Sequence, residues 1–264
     1  MTLTLTPLTG MPIIRRDDNL ADIVLKALVE NNISLQKNDI LVYAQKIVSK
    51  AEGRSVNLFT VTPSQRAIEL GEQTEKDPRL VELILRESQE VLRTRAGVII
   101  VEHKLGFICA NAGIDHSNVS SLLPQREAAE GVAITDEYVL LLPEDPDESA
   151  QKLRMQIENQ TGKHIGVLII DSHGRAWRNG TVGAAIGIAG LPGLEDLRGK
   201  PDLFGYTLQV TQVAAADELA AAASLMMGQA AEGTPVVHVR GFPYELREGS
   251  LKELIRPREQ DLFR

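Results

Sequence analysis

The 264-residue chain has one cysteine, Cys109. No disulfide can form within it, and a reducing compartment, the cytoplasm, is expected. Basic residues are in deficit: 28 Lys and Arg against 36 Asp and Glu give a net charge of −8. The basic footprint of a nucleic-acid binder is therefore missing. Residues 1–10 hold no basic residue and no long apolar run, unlike a secretory signal peptide. The longest apolar runs, such as 98–101 and 165–170, fall far short of the roughly 20 residues that span a bilayer. What is present is ordinary for a globular protein, with 43% hydrophobic and 24% charged residues. A large core needs no metal or disulfide staple at this length. The expectation is a cytoplasmic enzyme with neither nucleic acid nor membrane as partner, in one large or two modest domains.

Helical and strand patterns alternate from end to end, which predicts an α/β fold. Residues 3–8 alternate leucine with threonine, a half-buried strand. Asp17-Asp18-Asn19 caps an amphipathic helix over 20–30. A short apolar strand over 39–44 runs into 45–53. Further helices are predicted from Thr62-Pro63-Ser64, and from Asp77-Pro78 to about residue 90. Residues 97–102 and 106–110 read as a hairpin. A helix over 147–161 stops at Gly162. The uninterrupted apolar run 165–170 reads as a strand buried on both faces. Next come a Gly- and Ala-rich segment (182–190), a strand over 206–213, a helix over 214–227 ended by Gly228, a strand over 235–239 and a charged tail helix. The chain reads as a single catalytic domain over 1–264, with a loose boundary between two lobes near 120–135.

The common nucleotide and catalytic motifs are absent. The stretch from Gly193 to Lys200 has five residues between its glycines, and Pro201 stands where a Walker A loop needs Ser or Thr. The spacing of Gly183, Gly187 and Gly190 does not fit a dinucleotide loop, and a tightly packed strand or turn explains it better. Cys and His pairs at zinc spacing are lacking, as is a Gly-x-Ser-x-Gly elbow.

Four segments carry residues suited to chemistry. Asn111-Ala-Gly-Ile-Asp115-His-Ser-Asn118 comes after an apolar strand. Asp115 offers a hard carboxylate for Mg²⁺ or Mn²⁺ and Asn118 an amide, although an Asx-turn accounts for the same residues. Asp171 and Ser172 end the buried run, where open α/β sheets bind ligands, and Arg175 and Arg178 can meet phosphate oxygens. The alternative is a strand–turn in which Asp171 caps the next few residues, with His173 a solvent-facing turn residue. In Val210-Thr-Gln-Val-Ala-Ala-Ala-Asp217-Glu218 a strand turns into a helix. The helix dipole explains both acids, and free N–H groups there can also hold phosphate. Lys46 and Lys50, just past a buried strand, suit phosphate or simple solvation. Cys109, Trp177, Met226 and Met227 read as packing, and His238 as a satisfied core histidine.

In order along the chain, these pieces resemble one family, the coenzyme F420-0:L-glutamate ligases (F420 is a deazaflavin coenzyme). The resemblance rests on Gly10-Met-Pro-Ile-Ile14, Ser49-Lys-Ala-Glu-Gly-Arg54, Asn111-Ala-Gly-Ile-Asp-His-Ser-Asn118, Ile170-Asp-Ser-His-Gly-Arg175, Gly180-Thr-Val-Gly-Ala-Ala-Ile-Gly187, Ala216-Asp-Glu-Leu-Ala220 and Val239-Arg-Gly241. It implies an F420 ligase-like α/β fold with a mixed sheet, as an intertwined homodimer. It also implies a GTP-dependent ligase that adds L-glutamate to coenzyme F420-0 and then extends the tail through γ-glutamyl linkages. Two divalent metals, Mg²⁺ or Mn²⁺, and K⁺ would assist. Asp115 and Asp171 would bind one metal, and Ser172, where the family usually has threonine, would bind the second with Gln212. Nucleotide contacts would come from Met11, Pro12, Ile13, Ile14, Gln45, Lys46, Lys50 and Asn118. The turn formed by Val210, Thr211, Gln212, Val213, Ala214, Ala215, Ala216 and Asp217 would complete them. Gln212 departs from the acid expected in many relatives. The nitroreductase domain fused to some relatives is not in this sequence, so ligation without reduction is expected.

A carboxylate becomes an acyl donor only after activation. Phosphorylation by GTP supplies it, which explains acids and lysines at element ends without an activated nucleophile. Two rival readings use the same residues: a metal-dependent phosphohydrolase built around Asp171, and a non-catalytic nucleotide-binding protein.

Overall fold

Residues 40–44 and 166–170 are apolar without a break and buried except for the half-buried Ala44, and they pair side by side in parallel. They are the centre of a five-stranded mixed sheet in the computed structural model, which describes residues 2–116 and 137–262. The strands are β1 (Thr4–Pro7), β2 (Ile40–Ala44), β8 (Gly166–Arg175), β9 (Arg178–Ala189) and β12 (Val236–Arg240), in the order β1-β12-β2-β8-β9. Only the β2–β8 pairing is parallel. Helices α1 (Leu20–Glu30), α5 (Pro146–Thr161) and α6 (Ala215–Met227) complete this first unit, which takes residues 2–12, 19–48 and 144–262. Ile40, Val42, Leu168 and Ile170 share one core with Ala216, Leu219, Ala220 and Ala223 of α6. The alternate residues Leu41, Tyr43, Val167 and Ile169 are equally buried, so both faces of the sheet centre are covered.

Local signals set the helix ends. Asn19 caps α1 by accepting from the N–H groups of Ala21 and Asp22. Asp145 caps α5 ahead of Pro146, and Gly162, left-handed at φ 67°, ends it. The alanines of α6 let it lie close on β9: a Cβ on Gly183 would come within 2.4 Å of the Ala220 carbonyl oxygen.

The second unit takes residues 13–18 and the described part of 49–143. It holds helices α3 (Gln65–Thr74) and α4 (Pro78–Arg86) and a three-stranded antiparallel sheet of β4 (Ser88–Arg95), β5 (Val98–His103) and β6 (Ile108–Ala110). A separate ribbon pairs β3 (Ser55–Asn57) with β7 (Tyr138–Leu140). Its core gathers Leu58, Leu80, Ile84, Ile99, Val101, Cys109 and Val139, so Cys109 is a small core residue. The short helix α2 (Gln45–Ala51) begins in the first unit and ends in the second. The boundary expected near 120–135 lies outside the described residues.

Four expectations of secondary structure need correction, and Trp177 and Met226, expected to pack, are exposed. The helix from Pro78 stops at Arg86, because residues 88–95 turn back as β4 and pair with β5 through a turn at Gly97 (φ 78°). The strand that begins at Gly166 does not end at Ile170 but runs to Arg175. The strand expected over 206–213 shrinks to β11 (Gln212–Val213), paired with β10 (Glu195–Asp196). The Asp202 carboxylate accepts from the N–H groups of Phe204 and Tyr206, closing a turn that takes this stretch out of a regular ladder. The tail forms two short 3₁₀ turns, 251–253 and 258–260, instead of a helix. Pro257, between them, has no N–H to continue one.

Candidate functional site

β2 and β8 are parallel neighbours, and their last paired rung is Ala44 with Ile170. Both chains then leave together. Gln45 and Lys46 open α2, while Asp171 and Ser172 continue β8 in pairing with β9. β1 runs in the same direction, being antiparallel to β12, which is antiparallel to β2. The segment that leads to Met11 and Pro12 therefore leaves β1 at the same end of the sheet. The carboxyl ends of parallel strands are where open α/β sheets bind ligands.

A bulge in β9 shapes this end. Ile169 pairs with Gly187 but Ile170 with Ala185, so Ile186 is extra. Such bulges re-aim the side chains beyond them. Ala185, just past the bulge, donates its N–H to Asp217 Oδ1 at 2.9 Å. Asp217 is the third residue of α6, so this bond ties the helix start to the strand pair beside Asp171. Burial pushes the Asp217 carboxyl above its ordinary value, partly offset by the Ala185 N–H and by the charge of His173. Ala214 caps α6 without a side-chain bond, and the Ala216 N–H is taken by the Gly193 carbonyl.

Two strand positions beyond Asp171, His173 returns to the same face. Its Nε2 lies 3.2 Å from Asp171 Oδ2, with the two side chains only 13% and 12% exposed. The expected solvent-facing turn residue is therefore a nearly buried neighbour of the carboxylate. Period-two alternation would have placed it there had the strand been extended past Ile170. Ser172, on the other face, donates to Gln229 Oε1 at 2.9 Å, and Gln229 donates to Ser224 Oγ of α6. Gln212 is exposed on β11, its Nε2 3.5 Å from Asp196 Oδ2. Val210 is exposed, and Ala215 and Ala216 are buried.

Ile13, Ile14, Lys50 and Asp115 belong to the second unit. Ile14 and Lys50 are buried, and Ile13 is exposed. Asp115 comes after three successive left-handed residues, Asn111, Ala112 and Gly113 (φ 52°, 52° and 65°). The two non-glycine members cost roughly 1–2 kcal/mol each. They are held in place: Asn111 Oδ1 accepts from the Ile99 N–H, and Gly113 has no room for a Cβ beside Leu142. The Asn111 side chain thus bonds a neighbouring strand, and Asp115 itself exchanges both backbone bonds with Leu140. A backbone strained and pinned next to an acid is a frequent mark of a functional position. Asn118 lies outside the described residues.

As for donors, the Asp171 carboxylate and the Ser172 hydroxyl are both oxygens of the hard type that suits Mg²⁺ or Mn²⁺, but they lie on opposite faces of β8. Among the described residues, no three His, Cys, Asp or Glu side chains converge as a metal-holding group. No described helix is long and apolar enough to cross a membrane.

The profile of the F420-0:gamma-glutamyl ligase family matches residues 10–241. Among similar curated proteins are the coenzyme F420:L-glutamate ligases of Methanothermobacter thermautotrophicus, Methanocaldococcus jannaschii and Methanopyrus kandleri. The first is 46% identical over all of both chains. The second is 43% identical over 93% of this chain and 90% of its own, and the third 43% identical over 100% and 98%.

Proposed function

Because the chain belongs to the F420-0:gamma-glutamyl ligase family, we propose that it is a coenzyme F420:L-glutamate ligase, as the names of its relatives say of them. The finer reading is a GTP-dependent ligase that forms an amide bond, works as a homodimer and continues the tail through γ-glutamyl linkages. In the first step a coenzyme carboxylate oxygen attacks the γ-phosphorus of GTP, giving an acyl phosphate and GDP. In the second the glutamate amine attacks the acyl carbon and inorganic phosphate leaves, with the amine proton lost to solvent or a base.

The observation that supports this reading is the common exit of β1, β2 and β8, which gathers Met11, Pro12, Gln45, Lys46, Asp171 and Ser172 at one end of the sheet. Lys46 and Lys50 are proposed to neutralise phosphate oxygens, and the turn from Val210 to Asp217 to hold the nucleotide. Asp115 and Asp171 are proposed as metal-binding carboxylates, with Ser172 and Gln212 as donors to a second metal and K⁺ as a further cofactor. A bound dication would supply charge neutralisation during phosphoryl transfer. The Asp171 carboxylate fits that role for one metal, with His173 Nε2 3.2 Å from it, and the Ser172 hydroxyl, on the other face of β8, would serve the second.

The test is mass spectrometry of reactions containing GTP, Mn²⁺, L-glutamate and coenzyme F420-0. Products heavier by whole glutamyl units, formed only when all are present, are expected. Phosphate release that persists without glutamate would instead identify a phosphohydrolase. Asp115→Asn and Asp171→Asn should each abolish product with an unchanged unfolding transition. Near-normal turnover in either variant would remove that residue from the site.

A further inference from the structure

Beyond Ile170, β8 and β9 form a two-stranded arm in which Arg175 pairs with Arg178 across a turn of Ala176 and Trp177. Trp177 is the only tryptophan in the chain. It is 88% exposed and sits in the left-handed region at φ 63°. Glycine or asparagine would hold this turn with little strain, whereas a bulky residue is strained there. An exposed tryptophan at such a position therefore carries backbone strain with little burial of its own to offset it. It stands between two exposed arginines on a chain whose net charge is −8.

We propose that Trp177, flanked by Arg175 and Arg178, is the platform on which the planar ring of the deazaflavin acceptor stacks. The inference rests on the ligase reading above. That acceptor has a flat aromatic ring at one end, a side chain, and the carboxylate to be extended at the other, and it is anionic. An exposed indole offers a face to the ring, and a guanidinium on either side meets negative charge or stacks on the ring edge. The geometry along the strand is suitable. Asp171 lies four residues before Arg175, roughly 13 Å of extended strand, and the Trp177 turn follows directly. Ring and reacting carboxylate would then occupy opposite ends of one arm, with the carboxylate on the face that carries Asp171. The pairing of β8 with β9 fixes that separation, so the arm would act as a ruler for the acceptor.

Because Trp177 is the sole tryptophan, its fluorescence lifetime reports on this site without interference. Titrating the full-length protein with coenzyme F420-0 should shorten the lifetime saturably, with a midpoint that matches the KM for the coenzyme. Trp177→Ala should raise that KM by about tenfold, within the range lost when one aromatic stacking partner is removed. The KM for GTP and the kcat should stay within twofold, and Trp177→Phe should restore most of the loss. If the wild type forms no glutamylated coenzyme at all, the ligase reading fails first. If it does form product but the lifetime is unmoved, or Trp177→Ala keeps its KM, the platform is refuted. A raised KM that comes with a change in sedimentation mass would also refute it, by showing Trp177 to be a subunit contact.

Discussion

Asp39, at the start of β2, is 1% exposed yet carries a charge. Burial pushes its carboxyl up, but bonds from Arg240, His238 and the Gln36 N–H outweigh that and hold it at about 2. The partners are close: His238 Nε2 at 2.8 Å and the Arg240 guanidinium at 2.7 Å from Oδ2. His238 is thus the satisfied core histidine that its apolar strand suggested. A carboxylate with a depressed pKa adds stability that is complete above the ordinary value of 3.8 and lost as pH falls through about 2. Asp39→Asn should therefore cost about 1–3 kcal/mol at neutral pH by weakening charge-assisted bonds to a partly exposed Arg240 and to His238. The gap to wild type should narrow below about pH 4, as measured by denaturant unfolding across pH. A constant gap would mean that the charge is not what holds β2 to β12. Sequence pattern placed His238 correctly because an apolar strand tells of burial. It could not pair it with Asp39, 199 positions away, since no local signal carries that distance.

At the scale of elements, close approach governs the site. α6 lies on β9 because Gly183 has no side chain, and that approach lets Asp217 bond to Ala185. Gly183→Ala would set a Cβ within 2.4 Å of the Ala220 carbonyl oxygen. A loss of about 1–3 kcal/mol in unfolding free energy is expected from such overpacking, read as a lower denaturation midpoint. An unchanged midpoint would mean that α6 has freedom to shift outward. Helices and central strands were legible here because caps and apolar runs are local: Asn19, Asp145 and Gly162 do what their types predict. The misses share a cause as well. β4 and the outer half of β8 are polar segments whose strand state comes from a partner strand, so neither periodicity nor propensity marks them. The extension of β8 mattered most, because it carries His173 onto the face of Asp171 and creates the Trp177 turn.

For the molecule as a whole, charge opposes the proposed chemistry. GTP, glutamate and the coenzyme are anions, and the net charge is −8. On that proposal capture depends on local cations, for which Lys46, Lys50 and Arg175 are the candidates. At constant potassium, kcat/KM for GTP should fall severalfold as ionic strength rises from about 0.01 to 0.15 M, where the Debye length shrinks from about 30 to 8 Å. A rise with salt would show that overall repulsion dominates instead. The sheet has another consequence, for the order of events during synthesis. Among the described strands β1 is bonded only to β12, so residues 4–7 find their partner only after residues 236–240 leave the ribosome. Residues 49–143, by contrast, are made in one stretch. The nascent chain should thus mature from its middle outward, its first-made strand docking almost last. Ribosome-stalled chains ending before residue 236 would carry an N-terminus open to protease.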